Sequence, residues 1–383
     1  MKGNIIKFVQ AHHWIYFCYY WVMTCFVNLI KLFVRPDDRL ILFVVYGGKY
    51  FSDSPKCMYE AMLSDERFKD YRMVWAFRTP NRFPEVPNKI KIDTLKYYIT
   101  ALKARCWITN ESVTRALKFK GKHVFYFSTT HTALPKYGGA DVKSESTFTS
   151  IGGTKYDCTC AQSEAEKVIQ LRKYGLKASQ VKVCGYPKND RIANHTDEEV
   201  EAIRRKLNIN DGKKVLLYAP TFREGVQKMT VDLAKWVEML GDDYWILFRA
   251  HHSMTNSIQL KDYSNCVIDV SSYPDNTDLL IASDVLISDY SGIFFEFGVQ
   301  EKTMFCYAYD KEEYTKNRGL YVNLWDVLPG GHLNELQLLD YIKNGDDFEI
   351  INAVNAFRKQ YITAYGNATQ QCVNIIYDNL KKG

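Results

Sequence analysis

Four short stretches of this chain put phosphate-binding or proton-transferring side chains where a strand gives way to a turn. The first is Asp284-Val285-Leu286-Ile287-Ser288-Asp289-Tyr290-Ser291-Gly292, followed by the helix-like Ile293-Phe294-Phe295-Glu296-Phe297. A buried apolar strand ends in an acid. Ser-Gly then opens a helix whose first N–H groups and positive dipole end suit an anion. The plainer account of Ser291 is an N-cap, worth about 1 kcal/mol to the helix. The second stretch runs from Val215 to Ala219 and on through Pro220-Thr221-Phe222-Arg223. It offers a phosphate a hydroxyl and a forked, permanently charged guanidinium, although a capped turn with a solvated arginine has the same sequence signature.

The third stretch is Phe248-Arg249-Ala250-His251-His252-Ser253, at the end of a strand beginning at Trp245. Adjacent histidines in extended chain point to opposite sides, so they make a poor pair of metal ligands. One of them beside an arginine suits proton donation or a phosphate contact, because an imidazole of pKa about 6.5 works in both directions. The fourth is Thr130-His131-Thr132-Ala133-Leu134-Pro135-Lys136, after the strand His123 to Phe127. His131 there is placed for a general base, and the competing account is a solvated loop histidine.

Strands and turns of this kind need a scaffold, and the chain supplies one twice. Short apolar runs at Leu40 to Tyr46, Arg72 to Phe77, Cys106 to Thr109 and His123 to Phe127 alternate with amphipathic segments such as Thr94 to Lys103. The alternation restarts at Val215 to Ala219, Trp245 to Arg249, Val267 to Asp269, Val285 to Ser288 and Met304 to Tyr307. Strands separated by helices imply parallel βαβ units, hence an α/β fold with two domains. Gly185-Tyr186-Pro187-Lys188-Asn189-Asp190 is rich in turn formers and marks the connection. The stretch Phe348 to Lys382 reads as helices returning to the first domain. In such sheets ligands sit beyond the carboxyl ends of strands, where the four stretches lie.

With 383 residues, 46% hydrophobic and 25% charged, the chain is globular rather than disordered. A net charge of +6 spread over the whole length argues against a nucleic-acid domain and suits anionic partners. The ten cysteines are scattered without a CxxC pair, which points to reduced thiols in a cytoplasmic protein rather than disulfides or zinc. No Asp-x-Asp or other carboxylate pair marks a metal site. From Trp14 to Ile30 there is no charge, and the segment is dense in aromatic and aliphatic residues between Lys7 and Lys31. A spanning helix needs about 20 apolar residues. With Tyr16, Tyr19, Tyr20, Thr24 and Asn28 in the segment, a helix lying in the membrane interface is at least as good an account. No small-residue cleavage site follows it, which argues against a secretory signal.

Taken together, the stretches resemble the CDP-glycerol glycerophosphotransferase family, whose members prime and polymerise wall teichoic acids and related capsular polymers. The resemblance rests on Tyr218-Ala219-Pro220-Thr221-Phe222-Arg223, Gly185 to Asp190, Arg249-Ala250-His251 and Asp284 to Ser291. It continues through Tyr307-Ala308-Tyr309-Asp310, Arg318-Gly319 and Leu328-Pro329-Gly330, in the family's order. His131 matches the histidine of a Trp-His-Gly-Thr-x-x-Lys pattern in which Lys136 keeps its offset, while Thr130 and Thr132 replace the usual Trp and Gly.

The resemblance implies a GT-B fold with two facing Rossmann-like domains. The partition is residues 1–36 as a membrane-associating helix, 37–190 as an acceptor-side domain, 191–360 as a donor-binding domain and 361–383 as a returning C-terminal helix. The resemblance implies transfer of glycerol phosphate from CDP-glycerol to a hydroxyl of a lipid-linked acceptor at the cytoplasmic face of the bacterial membrane, and the lack of a carboxylate pair leads us to expect no cofactor and no obligatory protein-bound metal. His131 and His251 are the catalytic candidates. Thr221, Arg223, Arg249, Asp289, Ser291, Gly292 and Arg318 are donor-side, and Lys136 is acceptor-side. CDP-ribitol, or a UDP-sugar on the same fold, remains an alternative donor, and a fold-retaining scaffold without chemistry is a third reading.

Overall fold

The computed structural model describes residues 13–130, 134–138, 141, 156–221, 231–249, 263–317 and 319–382. His131, Arg223, His251 and Arg318 lie outside the described residues. The chain divides into two compact units: residues 1–133, 138–188 and 367–383 form the first, and 134–137 with 189–366 the second.

The first unit is built on seven parallel strands. These are β1 (Asp37–Val44), β2 (Arg72–Phe77), β3 (Lys89–Lys91), β4 (Ala104–Thr109), β5 (Phe125–Ser128), β6 (Cys158–Ala161) and β7 (Val181–Val183). Their spatial order is β3-β2-β1-β4-β5-β6-β7. Strand β1 is buried on both faces, as a central parallel strand must be. Ile41 and Phe43 pack with Trp75, Met58 and Tyr59 on one side, while Leu40, Leu42 and Val44 pack with Tyr97 and Ala101 on the other. The helix Ala368–Leu380 completes the first of these faces through Cys372, Val373 and Ile376. Three strands have no counterpart in the sequence-based reading. β3 and β7 are three-residue edge strands carrying lysines, and β6 is Cys-Thr-Cys-Ala, without an aromatic or a long aliphatic side chain.

The second unit holds five parallel strands: β8 (Lys214–Tyr218), β9 (Tyr244–Phe248), β10 (Val267–Asp269), β11 (Val285–Ser288) and β12 (Thr303–Cys306). Their order is β10-β9-β8-β11-β12. Leu216, Tyr218, Ile246, Phe248, Val285 and Ile287 share one core with Trp236 and Leu240 of the helix Leu233–Leu240.

The units depart from the sequence partition in three places, the smallest being residues 189–190, which open the second unit. Residues 134–137 belong with the second unit rather than with 37–190, because Lys136 forms an antiparallel bridge with Leu320. Residues 361–366 also stay with the second unit, where Arg358 donates to Gly298 O at 2.6 Å and to Tyr365 Oη at 3.2 Å.

The helix His13–Lys31 docks on the first unit by a narrow stripe. Tyr20 and Val27 are buried with Tyr97 and Ala101 of the helix Leu95–Lys103. Asn28 and Lys31 donate to the carbonyls of Lys118 and Lys120 at 2.8 and 3.1 Å. Trp14, Phe17, Trp21, Val22, Phe26 and Leu29 remain exposed. No helix among the described residues is long and apolar enough to cross a membrane.

Candidate active site

Strand order locates the crevice in each unit. In the second sheet the chain winds outward from β8 in both directions, so β8 and β11 are neighbours whose connections leave on opposite faces. Ligands bind outside the carboxyl ends of strands at such a switch point. The turns that follow these two strands are Ala219-Pro220-Thr221 and Asp289-Tyr290-Ser291-Gly292, two of the four stretches singled out in the sequence.

Asp289 ties the two turns together. Its Oδ1 accepts from Thr221 N at 2.9 Å and from Tyr290 N at 2.6 Å, and the residue is buried. Ser288 Oγ adds a bond to Ala219 O at 2.6 Å. Asp289 therefore holds the backbone of the crevice in place through Oδ1. Ser291 is not the N-cap expected of it: Gly292 holds that position without a side-chain cap bond, and Ser291 Oγ accepts from Ile293 N at 3.2 Å in a local turn. The helix Gly292 leads into is only the five residues Ile293–Phe297, so the expected dipole effect is small.

Tyr290 extends the crevice sideways. Fully buried, it donates from its hydroxyl to Asp310 Oδ1 at 2.8 Å and stacks on Tyr314 with ring centroids 3.8 Å apart. Lys136 Nζ lies 5.8 Å from the Tyr314 ring centroid. Arg249, after β9, gives Nη1 to Val270 O at 2.9 Å and Tyr273 O at 3.1 Å, and its burial lowers its pKa from the ordinary value. This guanidinium braces the loop after β10. Asp310 stood in a motif of the sequence without a role, and Tyr290 and Tyr314 carried no periodic or spacing signal. Only their three-dimensional stacking identifies them.

The first sheet has its own switch point, between β1 and β4. There Asn110 Oδ1 accepts from Tyr46 N at 2.9 Å, while Asp53 Oδ2 accepts from Tyr46 Oη at 2.5 Å and Asn110 Nδ2 at 3.0 Å. Burial raises the Asp53 pKa, but the Lys188 charge and the hydrogen bonds from Tyr46, Ser54 and Asn110 outweigh it, leaving the carboxyl below its ordinary value. After β5, Thr130 is buried with φ of 50° and lies 3.4 Å from Tyr186 Oη, which donates to the buried Glu166 at 2.5 Å. A non-glycine residue held at positive φ is costly enough to need such support. Thr130 directly precedes His131. Among the described residues no three His, Cys, Asp or Glu side chains gather as a metal-binding group.

The model of the CDP-Glycerol:Poly(glycerophosphate) glycerophosphotransferase family matches residues 26–378. The chain is 31% identical to the teichoic acid poly(glycerol phosphate) polymerase of Staphylococcus epidermidis over 91% of its own length, and spans about half, 52%, of that relative. It is 29% identical to the teichoic acid glycerol-phosphate transferase of Staphylococcus aureus, over 98% of this chain and 100% of the relative. Among solved structures, the wall teichoic acid polymerase TagF soaked with CDPG superimposes with a TM-score of 0.79 at 30% identity, over 91% of this chain and 90% of that one. The UDP-GlcNAc 2-epimerase of Neisseria meningitidis matches at 12% identity with a TM-score of 0.54, over 88% of this chain and 100% of that one, a likeness of fold alone. These likenesses agree with the α/β fold of GT-B type expected from the sequence.

Proposed function

Because the chain belongs to the CDP-glycerol:poly(glycerophosphate) glycerophosphotransferase family, we propose that it transfers glycerol phosphate from CDP-glycerol to a hydroxyl of a lipid-linked teichoic acid or capsular polymer acceptor. The observation that carries the reading is the β8/β11 switch point, where Asp289 fixes both turns. Crevices of that topology accept nucleotides through their phosphates. Glycerol phosphate is favoured over ribitol phosphate by coverage: five glycerol-phosphate relatives align over 64% to 98% of the chain, four of them over 87% or more, and the ribitol-phosphate polymerases over 60% or less.

In this reading the acceptor hydroxyl oxygen attacks the β-phosphorus of CDP-glycerol. A new P–O bond forms the phosphodiester, the bond from the β-phosphorus to the bridging oxygen breaks, and CMP leaves with that oxygen. His131 takes the hydroxyl proton, a role typically worth about 10²–10⁴ in rate. Thr221, Arg223, His251, Ser291, Gly292 and Arg318 meet the diphosphate and the charge developing on CMP. The hydrogen bonds of Asp289 and Arg249 give these two positioning roles. Turnover needs no protein-bound metal, so activity is expected to survive chelation by EDTA.

The exposed aromatic face of the helix His13–Lys31 supports contact with a membrane surface, which we place at its cytoplasmic face, with Trp and Phe at headgroup level. Competition separates the donor classes: CMP should displace bound CDP-glycerol while UMP at the same concentration does not. Displacement by UMP instead would return the chain to the sugar-nucleotide reading.

A further inference from the structure

The sequence placed Lys136 beside the acceptor, but its bridge to Leu320 and its approach to Tyr314 lie in the second unit. We propose that Lys136 is a donor-binding residue, whose ammonium takes the β-phosphate of the nucleotide diphosphate at the β8/β11 switch point. The inference rests on the donor reading above and deepens it.

The strap Leu134–Tyr137 is built into the second unit by a regular set of bonds. Tyr137 N donates to Gly319 O at 3.0 Å and Tyr321 N to Pro135 O at 2.7 Å, flanking the antiparallel bridge of Lys136 with Leu320. The Tyr137 and Tyr321 rings meet with centroids 4.7 Å apart. A methyl group on Gly319 would stand 2.1 Å from the Tyr137 ring, so the strap docks only because that side chain is absent. Held this way, Lys136 presents its ammonium to Tyr314, within the roughly 6 Å over which a cation feels an aromatic face. Tyr314 in turn stacks on Tyr290 of the switch-point turn.

Charge gives the placement a purpose. The turn carries the carboxylates of Asp289 and Asp310, both engaged by Tyr290, and Arg249 gives Nη1 to two backbone carbonyls. A diphosphate arriving there meets these carboxylates, and Lys136 adds a cation to Arg223, His251 and Arg318, which the reading above already assigns to it. Lysine, a compact charge on a flexible four-carbon stem, can exchange an aromatic face for a phosphate.

The test is calorimetric titration of the whole chain, without acceptor, with CDP, CDP-glycerol and CMP, for the wild type, Lys136→Met and Lys136→Arg, alongside melting temperatures. Lys136→Met should weaken CDP and CDP-glycerol about 10- to 100-fold, the effect of losing one charge-assisted hydrogen bond. It should change CMP affinity by less than about 3-fold, and Lys136→Arg should recover most of the loss. Wild type and Lys136→Met binding CDP equally, or CDP and CMP weakened alike, would overturn the assignment while leaving the donor reading intact. A wild type that binds neither CDP nor CDP-glycerol would overturn both.

Discussion

Replacing Asp289 by alanine should damage stability and donor binding together. The substitution removes one oxygen that serves two N–H donors, Thr221 N at 2.9 Å and Tyr290 N at 2.6 Å, in a buried position. A buried donor left without a partner costs about 1–3 kcal/mol. Two such donors sharing one acceptor are not additive, and relief from burying a charge offsets part of the loss, so about 3 kcal/mol is expected. With a urea slope of about 3 kcal/mol per molar, the unfolding midpoint falls by roughly 1 M. Asp289→Asn keeps an oxygen at the Oδ1 position and should lie between the alanine variant and the wild type. Urea denaturation with CDP titration of each variant reads both effects. An alanine variant that unfolds at the wild-type urea concentration and binds CDP normally would show that the carboxylate does not order the two turns.

Three further outcomes follow from other parts of the molecule. Gly319→Ala should cost about 1–3 kcal/mol by overpacking against Tyr137, and a melting temperature equal to wild type would contradict the strap docking. Lys302, which donates to Ile281 O and Ser283 O, has its pKa lowered to about 8, chiefly by burial. A lysine whose folded pKa lies below its unfolded value of 10.5 disfavours folding when protonated. The wild type should therefore gain stability relative to Lys302→Met as pH rises from about 8 to 10.5, and parallel pH profiles would refute this. Cys18 and Cys25 are exposed on the helix His13–Lys31, whereas Cys106, Cys158, Cys160, Cys184, Cys266, Cys306 and Cys372 are buried. Alkylation of the native protein should start at the first two and slow on adding anionic lipid vesicles. Unchanged labelling with vesicles present would contradict the membrane placement.

What could be read from the sequence follows from the physics each feature relies on. Central strands such as Leu40 to Val44 announced themselves because burial on both faces demands an unbroken apolar run. Edge strands carrying lysines, and a strand made of cysteine, threonine and alanine, have no such signature. The turns after β8 and β11 were legible because acid, hydroxyl and glycine crowd a strand end. Whether those groups face a ligand or each other was not, since Asp289 and Arg249 turned inward to hydrogen-bond the backbone. Lys136 shows the same limit over longer range. Its position in the chain put it with the acceptor, while two backbone hydrogen bonds and an absent side chain at Gly319 tie its strap into the second unit.

The central claim is tested most directly by CMP release from CDP-glycerol, using purified protein with a lipid-linked acceptor, beside CDP-ribitol and a UDP-sugar. The account predicts CMP from CDP-glycerol in preference to the other donors, with release abolished in His131→Ala and in His251→Ala. Consumption of the UDP-sugar with no turnover of either CDP-alcohol would contradict it.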